Sequence, residues 1–339
     1  MDDDWAIVIG INQYPKVVGA SPLQGAVDDA RKFKGWLLKP EGGAVPQAHI
    51  GEFIQDASVS SGALKPTESQ LRAFIEDQLL SFLPQRPFGR RLYLYFSGHG
   101  ISPTGQESIR NAALLMANAI MPTPLLHIPG NILAEGMRSS AYFKQVVLIM
   151  DCCRDFEKNV IPNHFDFIDP VDVAKTCVLV EAYATSWASK AREIPLPPDD
   201  TVQGVFTHAL LDVLSAGQMS GTLLKQSVKR CLARLLKDEK KAQEPVIQPD
   251  DELARILFNE AASPPRTLVN IKGHPAATPV IEFFPPGSDT SQQVVLADWS
   301  FDGNDWSGPL EPSAYELRIP GGGAKRFNVY AAIPEEVQL

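Results

Sequence analysis

Two short stretches of the chain end an apolar run with residues that can do nucleophilic chemistry. In "LYLYFSGHG", residues 92–100, the run ends in small residues around His99, and in "VVLIMDCCRD", residues 146–155, it ends at Cys152 and Cys153. A cysteine thiolate is a nucleophile, a histidine can carry protons to and from a leaving amine, and backbone N–H groups can stabilise an oxyanion. These residue types together predict thiol-dependent peptide hydrolysis.

Strands must position this histidine and cysteine, which lie 54 residues apart in the sequence. Short runs rich in β-branched and aromatic residues are typical of strands buried on both faces. They occur at residues 6–11, 91–96, 146–150 and 176–182. Both motifs follow such a run, and ligands of parallel sheets bind beyond the carboxyl ends of the strands. We therefore expect His99 and Cys153 to meet there, with Gly98 and Gly100 allowing a tight turn around the histidine.

Helix-like segments alternate with these strands. Helical spacing of apolar residues occurs at 28–38, 67–82, 205–214 and 221–236, and Thr67 with Gln70 forms a plausible capping box. Strands interleaved with helices predict an α/β fold, with a mainly parallel sheet flanked by helices. The composition changes after residue 262, where short β-like runs at 267–271, 280–284, 315–319 and 327–331 are separated by Pro, Gly and Asp. We predict an α/β domain over residues 1–262 and a small C-terminal all-β, sandwich-like module over 263–339.

The composition of the 339-residue chain excludes several classes of protein. Its net charge of −9 argues against a nucleic-acid or anionic-membrane surface. The acidic N-terminus does not resemble a secretory signal, and its apolar run is too short to span a bilayer, so we expect a cytoplasmic protein. The four cysteines form neither a disulfide framework nor a zinc-binding pattern, which predicts free thiols and no metal site. Isolated residues such as Cys177 and Cys231 are expected to be core residues.

The two motifs resemble those of a known family. "YFSGHG" followed by "LIMDCCRDF" is similar to the histidine and cysteine motifs of the caspase-like peptidases, particularly the metacaspase and orthocaspase branch and its prokaryotic relatives. The flanking stretches "WAIVIGINQYP", "LQGAVDDARKF" and "GVFTHALLDVL" agree with this resemblance, which covers residues 1–260 approximately. The spacing also fits, since caspases have their histidine about 50 residues before the cysteine.

The resemblance implies specific roles for the residues of the two motifs. Cys153 would be the nucleophile, His99 the general base and acid, and the Gly100 and Cys153 amides the oxyanion donors. Cys152 takes a small position that is often serine. One residue departs from the metacaspase pattern, because Arg154 stands where histidine is common.

The resemblance also implies specificity for basic residues. In metacaspases an acidic first pocket selects arginine or lysine before the cut, and its positions correspond here to Asp29, Ser97 and Asp151. Two carboxylates in a partly desolvated pocket repel each other unless a cation joins them, which favours a guanidinium or ammonium group. For Asp29, the alternative is that it only caps a helix.

Activation and partners follow from the same resemblance. The segment between Arg154 and Lys175 corresponds to the linker that separates the two subunits in the family, and Lys158 is the expected processing site. The alternative is that this segment packs over the sheet and is never cut. Expected partners are protein substrates and an upstream activating protease or regulatory protein, with no nucleic acid and no membrane. No cofactor is expected, with calcium left open by analogy. The competing hypothesis is a catalytically idle scaffold that binds protein partners.

Overall fold

The structure is a computed structural model of the chain. It describes residues 3–55, 64–80, 87, 89–103, 111–121, 125–157, 160–237, 243–272, 278–283, 290–318 and 324–338. In the N-terminal part the strands are β1 Asp4–Gly10, β2 Ile50–Ile54, β3 Gly89–Ser97, β4 Gly100–Pro103, β5 Ala113–Leu115, β6 His127–Pro129, β7 Phe143–Asp151, β8 Asp155–Glu157, β9 Val178–Tyr183, β10 Glu193–Leu196, β11 Thr201–Gly204, β12 Met219–Ser220, β13 Val246–Gln248 and β14 Leu257–Phe258. The α-helices are α1 Ala26–Leu38, α2 Glu68–Phe74, α3 Gly130–Ser139, α4 Val205–Ser215, α5 Gly221–Leu235 and α6 Asp250–Leu253.

A six-stranded sheet forms the centre of the molecule, in the order β13-β9-β7-β3-β1-β2. Only β13, at one edge, pairs antiparallel with its neighbour, and the other strands pair in parallel. The inner strands are apolar on both faces because helices cover both sides. The predicted mainly parallel α/β sheet is confirmed.

Each face of the sheet has its own hydrophobic cluster. On one face, alternate residues of the strands pack with side chains of α1, α4 and α5, such as Phe33, Leu210 and Leu224. On the other face, the intervening strand residues pack with Leu71 of α2 and Leu133 of α3. Burial on both faces fixes the register of β3 against β7, because a slip by one residue would exchange their two faces. This register sets where the two motifs lie.

The helix predictions hold with small differences at the ends. The Thr67 hydroxyl accepts a hydrogen bond from the backbone amide of Gln70. The Gln70 side-chain oxygen accepts one from the backbone amide of Thr67, which confirms the capping box. The predicted helix at 67–82 changes character, since α-helix ends at Phe74 and a π-helical turn covers Ile75–Leu79. In that region, residues 81–86 lie outside the described part of the chain.

The chain from Thr267 onward forms two further four-stranded sheets. Their strands are β15 Thr267–Lys272, β16 Val280–Phe283, β17 Gln292–Gln293, β18 Ser300–Phe301, β19 Trp306–Leu310, β20 Ala314–Arg318, β21 Ala324–Asn328 and β22 Glu335–Gln338. The sheet orders are β18-β19-β15-β22 and β17-β16-β20-β21. Val269 and Ile271 of the first sheet share an apolar cluster with Ile281 and Leu317 of the second, as in a sandwich. The predicted all-β module is therefore observed, although β21 begins and ends three residues earlier than the sequence suggested.

No helix among the described residues is long and apolar enough to cross a bilayer.

Candidate active site

His99 and Cys153 occupy matching positions in two neighbouring turns. Ser97 and Asp151 are paired in the last register position of β3 and β7. Beyond the turns the chain resumes parallel pairing, with Ile101 of β4 opposite Asp155 of β8. Each turn therefore contains three residues, and His99 and Cys153 are the middle ones. The expectation that adjacent parallel strands bring the two motifs together agrees with this geometry.

The two turns touch each other closely at Gly100. A methyl group added to Gly100 would lie 2.5 Å from Cys152 Sγ and 2.5 Å from the Cys153 carbonyl oxygen. Since side chains do not approach backbone this closely, only glycine fits here. The position predicted to supply an oxyanion amide is thus in contact with the turn that carries Cys153.

His99 is held by the loop that follows β1. Its Nε2 atom lies 2.7 Å from the Ser21 carbonyl oxygen, and its backbone amide donates to the Tyr14 hydroxyl at 2.9 Å. The Tyr14 ring, which is buried, packs at a tilt against the imidazole with 5.0 Å between ring centroids. With a backbone carbonyl as acceptor, Nε2 carries the proton when the ring is neutral. This loop was not among the residues expected to orient the histidine.

Cys153 is half-buried, and its thiol faces a second loop. Its Sγ atom lies 3.8 Å from the Ala191 carbonyl oxygen, as a donor. Burial raises the pKa of the Cys153 thiol above its ordinary value, while the Ala191 contact and the charge of Lys190 oppose that rise. The guanidinium of the neighbouring Arg154 lies 4.5 Å from the centre of the Tyr183 ring. The described thiol is therefore a protonated resting form.

Cys152 is a different kind of cysteine. It is 2% exposed and belongs to the hydrophobic cluster beneath β3 and β7. Burial is the main cause that raises the pKa of its thiol far above the ordinary value. Cys177 and Cys231 are also buried, as expected of core residues. Of the four free thiols, the structure places that of Cys153 in the cavity with His99.

Asp29 and Asp151 come together at one end of this cavity, although 122 residues separate them in the sequence. Asp151 Oδ2 accepts hydrogen bonds from the Thr207 amide at 3.0 Å and the Thr207 hydroxyl at 2.7 Å. Asp29 Oδ2 accepts one from the Gly204 amide at 2.8 Å, and its Oδ1 has no hydrogen-bond partner. Asp29 lies within α1, so it is not the cap of that helix.

Burial makes both carboxylates hard to ionise. It raises the pKa of Asp151 to about 6, against the hydrogen bonds from Thr207, which lower it. It also raises the pKa of Asp29 well above the usual range, and the neighbouring Asp151 charge adds to that rise. Such a pair gains free energy when a cation enters between or beside it. The third expected pocket residue, Ser97, is buried and also lines the cavity.

Glu193 is a further acid of the same cavity, and the sequence motifs do not contain it. Its carboxylate accepts hydrogen bonds from the backbone amides of Gln24 and Gly25, at 3.0 Å and 3.1 Å. It stands at the start of β10, which forms a hairpin with β11 and Gly204. Neither sequence motif indicates Glu193 as a site residue, because its place in the cavity depends on the β10–β11 hairpin, which returns over the sheet. The cavity thus has three carboxylates at one end.

The expected processing site, Lys158, lies outside the described residues. Later residues of the same segment do pack on the domain. The Phe165 ring lies under the Arg72 guanidinium at 4.7 Å, and Asn163 donates to Glu68 at 2.8 Å. The Phe167 carbonyl oxygen accepts from the Tyr142 hydroxyl at 2.8 Å. Residues 163–167 therefore contact the domain, and cleavage at Lys158 stays a prediction.

Metal ligands are not grouped in the described part of the chain. No set of three His, Cys, Asp or Glu side chains there could hold a metal ion. Calcium, left open by analogy, stays a prediction.

The cavity that holds these residues has a volume of about 430 Å³. It is lined by a thiol, an imidazole, four carboxylates and the Lys190 ammonium group, and it opens at the carboxyl ends of the central strands, where the fold class predicts a site.

Comparison with known proteins gives the family. The sequence model of the caspase domain matches residues 3–253. A probable protease from a Desulfuromonadales bacterium is 29% identical over 225 residues, which are 61% of this chain and 25% of the relative, so the chain spans about a quarter of that curated protein. Caspase-1 from Spodoptera frugiperda, a solved structure, is 13% identical with a TM-score of 0.46, over 73% of this chain and 86% of that one. Because the family match covers well over half of its residues, the chain belongs to the caspase domain family of peptidases.

Proposed function

We propose that this chain is a cysteine endopeptidase that uses a His99 and Cys153 dyad to cleave protein substrates after arginine or lysine. The observation that carries the proposal is a single cavity containing both residues of the dyad and the carboxylates of Asp29 and Asp151. The family supports the cysteine peptidase activity, and the acids support the specificity.

The dyad would act by ordinary thiol acyl transfer. His99 takes the Cys153 proton, and the thiolate adds to the substrate carbonyl carbon, forming a C–S bond while the oxygen becomes an oxyanion. The Gly100 and Cys153 amides are the proposed donors to that oxyanion. When the C–N bond breaks, His99 gives its proton to the leaving amine, and water then hydrolyses the thioester. For the first step, the Cys153 thiol must leave the Ala191 carbonyl, whereas His99 can keep its Nε2–H contact with the Ser21 carbonyl and accept the proton at Nδ1.

The proposed specificity depends on the desolvation of the Asp29 and Asp151 carboxylates. Asp29 is fully buried and Asp151 is 6% exposed, so water screens their charges poorly. A guanidinium or ammonium group placed beside them would neutralise the pair and supply a donor to the unpartnered Oδ1 atom of Asp29. An aspartate side chain would add a third negative charge to the same space. The pocket therefore favours basic residues before the scissile bond.

The biological setting is also a proposal. Protein substrates, an upstream activating protease or a regulatory protein are the proposed partners, in bacterial stress or defence signalling in the cytoplasm. The relative named as a probable protease is about four times longer than the part matched here, so its whole-protein activity is not transferred to this chain.

The scaffold hypothesis is not favoured. A scaffold without catalysis has no need for a glycine that lets the two turns touch at Gly100, nor for buried acids beside the thiol. Burying unpaired carboxylates costs stability, which is the expected sign of a functional site.

The test is cleavage of fluorogenic peptides with Arg, Lys or Asp before the reporter group. We expect cleavage after Arg and Lys only, with kcat lowered by orders of magnitude in Cys153→Ala and His99→Ala. Cys231→Ala, a buried cysteine on α5, is the matched control and should keep the activity. Asp29→Ala and Asp151→Ala should raise KM or lower kcat for the basic substrates. A preference for Asp, or full activity of Cys153→Ala, would contradict the proposal.

A further inference from the structure

The cavity has a second end that the proposed function does not use. Apart from the acids, its wall includes apolar side chains: Val17, Val18, Ile101, Leu115, Met121 and Leu125. Val18 is 80% exposed at the rim, and Met121 and Leu125 are half-buried. One cavity thus combines an acidic end and an apolar end, with His99 and Cys153 also in its wall.

The apolar end is built around the histidine. The Leu115 amide donates to the His99 carbonyl oxygen at 2.9 Å, and Ile101 follows His99 by two residues on β4. The Met121 amide donates to the Lys16 carbonyl oxygen at 3.1 Å, which ties Met121 to the loop that carries Val18. The acidic end is instead built from α1, the end of β7 and the end of β11.

The proposed acyl-transfer reaction determines which way a peptide substrate must lie between these two ends. The residue before the scissile bond places its basic side chain among the carboxylates, and its carbonyl carbon at the Cys153 thiol. The proton for the leaving amine comes from His99, so that amine must lie on the histidine side. The side chain that belongs to the leaving amine is then next to the apolar wall around His99.

We propose that the apolar end is a subsite for a large aliphatic or aromatic residue immediately after the scissile bond. The proposal rests on the proposed function, since it assigns a leaving-group side to that reaction. The preferred substrates are then Arg or Lys followed by a residue such as Leu or Phe. Removing apolar surface from water is favourable, and a hydrophobic pocket can discriminate about ten- to hundredfold in kcat/KM.

Internally quenched peptides test this subsite, because they carry residues on both sides of the bond. One series keeps Arg before the bond and places Leu, Phe, Gly or Asp after it. We expect kcat/KM for Leu and Phe to exceed that for Gly by about tenfold or more, and Asp to be the poorest. A second series with Asp before the bond reports on the proposed function itself.

Two variants link the preference to this wall. Val18→Asp changes an exposed side chain, so it should not affect folding, and it should reduce the preference for Leu over Gly. Met121→Ser, which changes a side chain within the cavity, should also reduce the preference for Leu over Gly. Val295→Asp is the matched control, since Val295 is 85% exposed in the C-terminal module, and it should leave the preference unchanged.

The outcomes separate the two proposals. Equal kcat/KM for Leu and Gly after Arg, or an unchanged preference in both Val18→Asp and Met121→Ser, overturns the subsite and leaves the endopeptidase intact. Absence of cleavage of every peptide in both series overturns the endopeptidase, and the subsite with it.

Discussion

The thiol of Cys153 donates to the backbone carbonyl oxygen of Ala191, with 3.8 Å between Sγ and oxygen. The same loop is paired with the turn that contains Cys153, since the Arg154 amide donates to the Ser189 carbonyl at 3.1 Å and the Ala188 amide donates to the Arg154 carbonyl at 3.2 Å. Between the described side chains of His99 and Cys153 there is no hydrogen bond. The two residues thus share one cavity, and each is hydrogen-bonded to a backbone carbonyl.

This resting form predicts the reactivity of the thiols. Iodoacetamide should modify Cys153 in the folded protein, with a rate that rises with pH through a midpoint above 9.0, because burial raises the pKa of this thiol. Cys152 should stay unmodified, since it is 2% exposed. Mass spectrometry of Cys152→Ala and Cys153→Ala assigns the label, which only Cys153→Ala should lose. Modification of Cys152 in the Cys153→Ala variant would show that the assignment is wrong.

Gly204 should be essential for the acidic end of the cavity. An added methyl group would lie 2.3 Å from Asp151 Oδ2 and 2.8 Å from Asp29 Oδ2, so Gly204→Ala must displace both carboxylates. We expect this variant to lose about tenfold or more in kcat/KM for Arg substrates, with less effect on thiol alkylation. Gly35→Ala is the control, because a methyl group there meets no atom within 4 Å. Equal kcat/KM for the two variants would refute this role of Gly204.

Asp151 should make stability depend on pH in an unusual direction. Its pKa is about 6 in the folded protein, above its ordinary value of 3.8, so folding is favoured when the carboxyl is neutral. The stability from this group is complete below pH 3.8 and is lost as the pH rises through 6. Asp151→Asn cannot ionise, so above pH 7 its free energy of unfolding should exceed that of the wild type by ~3 kcal/mol.

Urea unfolding at several pH values checks this prediction. The difference between Asp151→Asn and the wild type should shrink from pH 7.5 to pH 4.5. Asp28→Asn provides the control, since Asp28 is an exposed acid on the same helix as Asp29, paired with Arg31 at 3.0 Å. A difference for Asp151→Asn that does not vary with pH would mean that its carboxyl is not perturbed.

Processing should be confined to residues near Lys158. We expect the wild-type chain, initially 37.1 kDa, to be cut there during incubation, and the Cys153→Ala variant to stay whole unless an active protease is added. Residues 160–171 should resist cleavage, because they contain no Arg or Lys. Intact-mass measurement decides the matter. A fully active chain that stays at 37.1 kDa would show that processing is not required.

The sequence by itself determined the fold class and the two motifs that are central to the site. Apolar runs, a capping box at Thr67 and strand-ending motifs are local patterns. Such patterns can be recognised from residues that are neighbours in the sequence. Parallel pairing of two adjacent strands then places His99 beside Cys153, because equal offsets from the paired residues Ser97 and Asp151 lead to both.

Only the tertiary structure decided the electrostatics and the resting state of the site. The Gly204 amide that binds Asp29 is 175 residues away in the sequence, and Glu193 reaches the same cavity through a hairpin. The carbonyls of Ser21 and Ala191, which accept hydrogen bonds from His99 and Cys153, belong to loops with no chemical signature. Desolvation and backbone hydrogen bonds depend on which atoms are neighbours in space, and residue types along a chain do not encode that by themselves.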